Sequence, residues 1–120
     1  MNVTAIRKYC ATLPHATHDV KWGADHVYSI GGKMFCVSFE GEYHGEKHAN
    51  VSFKVDDDLF LQYTDRAGII PAPYMARNKW VQVQDLKKVS DAELKALLKR
   101  SYELVGAKLT KKLRTELGLS

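Results

Sequence analysis

The sequence lacks the features that define several large classes of protein. It has two cysteines among 120 residues, too few for the disulfide framework of a small secreted domain. Its apolar runs are only a few residues long, far below the roughly 20 residues of a transmembrane helix, and no leader-like pattern opens the chain. We therefore expect a cytoplasmic protein that makes no use of a membrane, with Cys10 and Cys36 as buried free thiols.

Signatures of catalysis and of cofactor binding are also missing. The chain has no GxSxG nucleophile elbow, no Walker loop and no GxGxxG fingerprint. The Gly31, Gly32, Lys33 run lacks the spacing of a phosphate loop and favours a hairpin turn instead. Cys36 lies among large apolar residues, where burial raises the pKa of a thiol and makes it inert. We expect no enzyme activity and no cofactor.

The histidines and one acidic run are the remaining candidates for a metal site. All five histidines fall in the first 48 residues: His15, His18, His26, His44 and His48. Their spacing matches no established ligand signature, so surface histidines are favoured unless three of them converge. The run Asp56, Asp57, Asp58 lacks the spaced oxygen ligands of a calcium loop and favours a helix N-terminus. We predict no metal site.

What the sequence does contain is an ordinary folded composition with an uneven charge. The apolar fraction of 45% and the charged fraction of 27% suit one domain spanning residues 1–120. The formal charge is +4 and the pI is about 9.1. Residues 86–120 carry nine basic and four acidic side chains, whereas residues 1–85 carry nine basic and ten acidic ones. The basic excess therefore belongs to the C-terminal segment.

The periodicity of apolar residues predicts a helix followed by a meander of strands. A helix over residues 3–13 has Asn2 as its N-cap and ends before Pro14. Strands are predicted over residues 26–31, 33–40 and 50–55, with residues 41–48 as an exposed hairpin loop. In the third strand the valines and Phe53 point inward, whereas Ser52 and Lys54 point outward.

The second half predicts a short helix, one more strand and a long helix. The short helix follows Asp58, residues 66–76 form a loop, and residues 79–84 form a strand. Trp80 points away from the two valines of that strand, so it either covers a second layer or is partly exposed. Ser90 and Glu93 form a capping box at the start of the long helix. This order predicts an α+β sandwich with helices packed on one side of an antiparallel sheet.

Basic and aromatic residues lie close together in the sequence. Lysines and Arg77 are expected at strand edges or outer faces, with Trp22, Tyr74 and Trp80 nearby. Cations that pair with phosphates, next to rings on which bases pack, make a nucleic-acid surface. The simpler interpretation, which composition alone favours, is that the tryptophans cover core edges and the lysines solvate the sheet.

Six short motifs together resemble the MmcQ/YjbR-like family of small bacterial proteins along nearly the whole chain. They are CATLP (10–14), WG (22–23), GGKMF (31–35), VSFKVD (51–56), PAPYMARNKWVQV (71–83) and SYELVGAKLTKKLR (101–114). Thr110 departs from the proline of many members. The resemblance implies a frataxin-like (CyaY-like) sandwich whose antiparallel sheet packs against N- and C-terminal helices. It also implies DNA binding, by likeness of the sheet to a double-wing module. The iron binding of frataxins does not transfer, because the first helix contains Arg7 and Lys8 and no acid.

The residues and the resemblance together lead to a non-enzymatic DNA-binding protein, monomeric, with double-stranded DNA as its partner. The candidate nucleic-acid-binding residues are Lys33, Lys54, Arg77, Lys79, Trp80, Lys108 and Lys112. The alternative is a module that binds a small molecule or a partner protein through an aromatic patch near residues 66–80. Its candidate residues are Trp22, Pro73 and Tyr74. The two readings differ in whether the surface is continuously positive or concave and aromatic.

Overall fold

The protein has an α+β fold with a six-stranded antiparallel sheet, as described by a computed structural model over residues 1–119. The strands are β1 (Thr17–Lys21), β2 (Asp25–Ile30), β3 (Lys33–Tyr43), β4 (Glu46–Lys54), β5 (Ile69–Pro71) and β6 (Trp80–Val83). The helices are α1 (Val3–Thr12), α2 (Phe60–Thr64), α3 (Asp91–Ala107) and α4 (Lys111–Glu116). The strand order across the sheet is β1-β2-β3-β4-β6-β5.

The two predicted helices at the ends of the chain begin at the residues that the sequence indicates. The Asn2 side chain accepts a hydrogen bond from the Ala5 amide at 2.8 Å, and the Ser90 hydroxyl accepts one from the Glu93 amide at 3.2 Å. The Glu93 carboxylate does not reach back to Ser90, because it pairs with Arg66 at 2.8 Å and 3.0 Å. Only one half of the predicted capping box therefore forms.

The core lies between the sheet and the α1–α3 layer. Its fully buried members include Ile6 and Cys10 of α1, Phe53 of β4, and Leu94 and Leu98 of α3. The helical residues among them belong to the apolar stripes that the periodicity predicts, and Phe53 belongs to the inward face predicted for its strand. Within the described part of the chain, no helix is long and apolar enough to cross a membrane.

A buried hydroxyl joins α3 to the sheet where two strands part. The pairing of β3 with β4 begins at Cys36 opposite Phe53. One residue further along, the Ser101 hydroxyl donates to the Phe35 carbonyl at 2.6 Å and accepts from the Lys54 amide at 2.9 Å. Ser101 thus satisfies two strand groups that the ladder leaves unpaired.

Three predictions about the sheet are wrong. Residues 41–48 are not a loop, because β3 runs to Tyr43 and β4 begins at Glu46. The strands β1 and β5 are absent from the prediction. Every residue of β1 is exposed, and an exposed strand needs no alternation of apolar residues by which the sequence could reveal it. The β5 segment falls inside the predicted loop 66–76, where two prolines and a glycine dominate the pattern.

The outer face of β4 is covered, which the alternation pattern does not show. Ser52 and Lys54 do lie on the face opposite Phe53, yet they are only 6% and 7% exposed. Trp80, opposite Lys54 in the register, is 5% exposed, so it belongs to a second covered layer. The chain after β5 turns back here: the Ala72 amide bonds to the Trp80 carbonyl, and the Lys54 ammonium bonds to the Asn78 carbonyl at 2.5 Å.

Candidate functional site

The antiparallel register brings several basic positions to one end of the sheet. Lys33 begins β3, Lys54 ends β4, and Lys79 directly precedes β6. Since Lys54 lies opposite Trp80, and β3 begins beside the end of β4, all three lysines share that end. The directions of the strands therefore bring these three lysines, which are far apart in the sequence, to one end of the sheet.

The charges at this end influence one another. Burial is the main cause that lowers the pKa of Lys54, and the positive charges of Lys108 and Lys79 lower it further. The Asp57 carboxylate acts in the opposite direction. An effect of Lys108 on Lys54 requires that the C-terminus of α3 lie near the end of β4. The C-terminal basic segment is therefore adjacent to the sheet.

A glycine turn fixes the basic segment in place. Gly31 has a φ of +58°, and a Cβ atom on it would lie 2.7 Å from Leu109 and 3.0 Å from Leu113. The turn between β2 and β3 therefore packs directly on the junction of α3 and α4. The last part of the basic C-terminal segment forms α4, and the Thr110 hydroxyl caps this helix by accepting from the Leu113 amide at 3.1 Å. Threonine can cap a helix, so the departure from proline leaves this element intact.

We call this surface the basic end and define it by its residues. They are Lys33, Lys54, Arg77, Lys79, Lys108 and Lys112. Of these, Lys33, Arg77, Lys108 and Lys112 are exposed, and Lys79 is half-buried with its ammonium 5.2 Å above the Phe60 ring. Lys54 is buried against Asn78, and the Trp80 ring is covered. The exposed positions alone can meet a partner directly.

A groove crosses the outer face of the sheet beside the basic end. It has a volume of about 560 Å³. Trp22, in the turn between β1 and β2, and Pro73 and Tyr74, after β5, all line it. The strand order places these two segments at opposite sides of the groove floor. The three residues of the predicted aromatic patch therefore meet at one site.

The two aromatic residues of the groove are exposed and have unusual backbone angles. Trp22 is 69% exposed, and Tyr74 is fully exposed. Their φ angles are +52° and +66°, in the left-handed region that aromatic residues rarely adopt. Three residues outside the groove, His15, His44 and Lys79, have the same left-handed backbone, so the angles are shared by several turns of the chain.

The groove floor carries polar groups that the sequence analysis did not single out. Asp25, Ser52 and Gln82 line it, together with Met34 and Val37. The Gln82 amide donates to the Ser52 hydroxyl at 3.4 Å, and burial raises the pKa of the Asp25 carboxyl. The sequence held one indication of this floor: the alternation of the predicted strands places Ser52 and Gln82 on the face opposite the core.

The candidate metal ligands do not converge. Among residues 1–119, no group of three or more histidine, cysteine or acidic side chains could hold a metal ion. His18 and His26 do meet, with ring nitrogens 2.8 Å apart and stacked rings. In the acidic run, the Asp56 carboxylate pairs with Arg100 at 2.7 Å and 2.9 Å, and this lowers the pKa of Asp56.

The two cysteines are free and fully buried, as predicted. A hydrogen bond with Cys10, followed by burial, raises the pKa of the Cys36 thiol. A protonated, inaccessible thiol is a poor nucleophile. Neither cysteine lines the groove or the basic end.

Comparison with known proteins decides the family. The model of the YjbR family matches residues 11–104, which is most of the chain. The chain belongs to the YjbR family. The predicted resemblance is thus confirmed.

Two solved structures share the fold of this YjbR protein. One is the Deinococcus radiodurans protein DR2400, with a DUF419 domain, at 27% identity and a TM-score of 0.84. It covers 99% of this chain, and 89% of its own length is matched. The other is a Pseudomonas syringae protein at 20% identity and a TM-score of 0.73, covering 88% of this chain and 99% of its own. None of the curated proteins matches the chain.

Proposed function

We propose that this YjbR protein is a non-enzymatic DNA-binding protein that contacts the phosphates of double-stranded DNA through its basic end. One observation carries the proposal: the fold brings the C-terminal basic segment beside the sheet-edge lysines. Lys108 is close enough to Lys54 to lower its pKa, and Leu109 packs on the Gly31 turn. The part of the C-terminal charge excess that lies at the α3–α4 junction, Lys108 above all, is thus next to the lysines of the sheet.

The residues of this surface divide into contacting and positioning groups. The exposed cations Lys33, Arg77, Lys108 and Lys112 can each neutralise a phosphate, with release of counterions. Lys54 instead holds the Asn78 carbonyl, and so fixes the turn that carries Arg77. Trp80 fills the layer beneath this turn. Binding through phosphates is strong at low salt and carries little sequence preference.

The test is a titration of labelled duplex DNA at several salt concentrations. We expect binding at low salt, with Lys108→Ala and Lys112→Ala each weakening it and reducing the salt slope by about 1. Lys47→Ala is the matched control, because Lys47 lies opposite Glu42 towards the far end of the β3–β4 hairpin. No binding at tens of micromolar protein, or an equal effect of Lys47→Ala, would overturn the proposal.

The same proposal includes a frataxin-like arrangement and a cytoplasmic, monomeric protein. Helices α1 and α3, from the two ends of the chain, both contact β3 and β4, which supports the frataxin-like arrangement. Light scattering after gel filtration tests the monomer: a mass near 13.6 kDa is expected, and twice that mass would contradict it.

A second candidate function is binding of a small molecule or a partner protein. The groove favours it, because Trp22, Pro73 and Tyr74 surround a cavity of a size that small ligands occupy. Such binding would be lost in Trp22→Ala and unchanged in Lys108→Ala. The reverse pattern would assign binding to the basic end instead.

A further inference from the structure

We propose that the groove holds one unpaired base of a single-stranded nucleic acid whose phosphates lie on the basic end. The inference rests on one part of the proposed function, phosphate binding by the basic end, and makes a single strand rather than a duplex the preferred ligand. It predicts that unpaired strands bind more tightly than a duplex of the same length. It also assigns a base-reading role to Asp25.

The aromatic walls of the groove are the first support. Trp22 and Tyr74 expose their rings, although burial would stabilise both. Each also has a left-handed backbone, so two independent segments hold aromatic side chains at this site in a disfavoured conformation. Exposed aromatic rings beside a cavity are available as platforms for unstacked bases.

The position of the groove relative to the basic end is the second support. Met34 lines the groove and directly follows Lys33. Met75, on the opposite side, also lines it and lies two residues before Arg77. The base of a nucleotide in the groove would therefore lie within one or two residues of Lys33 and Arg77, which are the exposed cations available for its phosphate. A duplex cannot use this arrangement, because its bases are stacked and paired.

The polar groups of the groove floor indicate which bases fit. The Asp25 carboxylate is an acceptor, and the Gln82 carbonyl already accepts from the Gln84 amide at 3.3 Å. A free acceptor suits a base with an exocyclic amino group, such as cytosine or adenine. Thymine has no amino group, so it should bind less tightly.

The test compares oligonucleotides of about 12 nucleotides, a length that a single-strand-binding module covers. Oligo-dC, oligo-dT and the dC·dG duplex are titrated at low salt and slightly alkaline pH. We expect oligo-dC to bind tightest. Trp22→Ala should weaken oligo-dC binding by roughly tenfold and leave duplex binding unchanged. Asp25→Asn should abolish the preference for oligo-dC over oligo-dT.

A matched control and the contrary outcomes complete the experiment. Leu61→Ala removes another exposed apolar side chain, outside the groove, and should change neither affinity. Equal binding of single strand and duplex, unaffected by Trp22→Ala, would overturn this inference and leave the proposed function standing. Failure of all three oligonucleotides to bind would overturn both. Binding of free dCMP as tight as that of oligo-dC would overturn the strand assignment, since a mononucleotide would then suffice.

Discussion

Replacing Ser101 by alanine should destabilise the protein far more than the loss of one surface hydroxyl would. Ser101 is fully buried, and its hydroxyl is bonded to the Phe35 carbonyl and to the Lys54 amide. The substitution leaves both backbone groups buried without that partner, and each such group costs about 1–3 kcal/mol. The expected loss is therefore about 2–6 kcal/mol, a large part of the total stability of a domain.

Urea unfolding followed by circular dichroism measures this loss. The midpoint should fall while the slope with denaturant stays constant, because the surface exposed on unfolding is unchanged. Thermal unfolding should show a drop of about 4 °C for each kcal/mol lost. An intact dichroism spectrum below the transition would show that the variant folds.

Ser38→Ala is the matched control, because it is the same substitution at an equally buried serine. The Ser38 hydroxyl is fully buried and has no hydrogen-bond partner among the described residues. Removing a buried group that makes no bond should be neutral or slightly stabilising. A loss below about 1 kcal/mol for Ser101→Ala, or an equal loss for Ser38→Ala, would refute the assignment of the bridging role.

Three further predictions concern a turn, a histidine pair and an ion pair. Gly31→Ala adds a clash with Leu109 to a positive φ and should cost about 2–4 kcal/mol, whereas Gly32→Ala has open space and should cost only about 1–2, by thermal unfolding. Burial, with help from neighbouring positive charge, lowers the pKa of His26 below 6.5, so the unfolded chain binds more protons there. Stability should then decline as pH falls below 6.5, and His26→Gln should reduce this decline in urea titrations. Arg66 lowers the pKa of Glu93, so this pair should stabilise the fold above about pH 4.5 and lose its effect on acidification. Both side chains are over a third exposed, so Glu93→Gln should cost less than about 1 kcal/mol at neutral pH by denaturant unfolding.

Elements that bury one apolar face were predictable from sequence. Helix α1 has an apolar stripe and is directly preceded by its N-cap Asn2, and α3 has a leucine row and is directly preceded by Ser90. The central strands alternate in the same way. In contrast, β1 is exposed along its whole length, and its pairing is visible only once β2 is in place. Local pattern therefore found the core and missed the edge strands.

The sequence indicated several residues of the candidate site, but it could not indicate how they are arranged in space. The alternation of β4 and β6 correctly placed Lys54 and Trp80 opposite the core face, but it could not show that residues 72–78 return to cover them. That covering depends on long-range contacts, such as the bond from Lys54 to Asn78. The convergence of Trp22 with Tyr74 is long-range too, since 51 residues separate them in the chain. Asp25 was missed because it stands alone in the sequence.

Folding changes which charged residues are neighbours. In sequence, the basic excess belongs to residues 86–120, whereas the aromatic residues belong to the sheet and its turns. The turn at Gly31 brings the two regions together. Because Gly31 has no side chain, Leu109 can pack directly on the end of the sheet. A Cβ atom there would meet the terminal methyl groups of Leu109 and Leu113, so the contact that holds Lys108 beside the sheet would have to shift. Gly31→Ala should therefore weaken DNA binding without altering any charge, and a variant that folds yet binds normally would show that the two basic regions act separately.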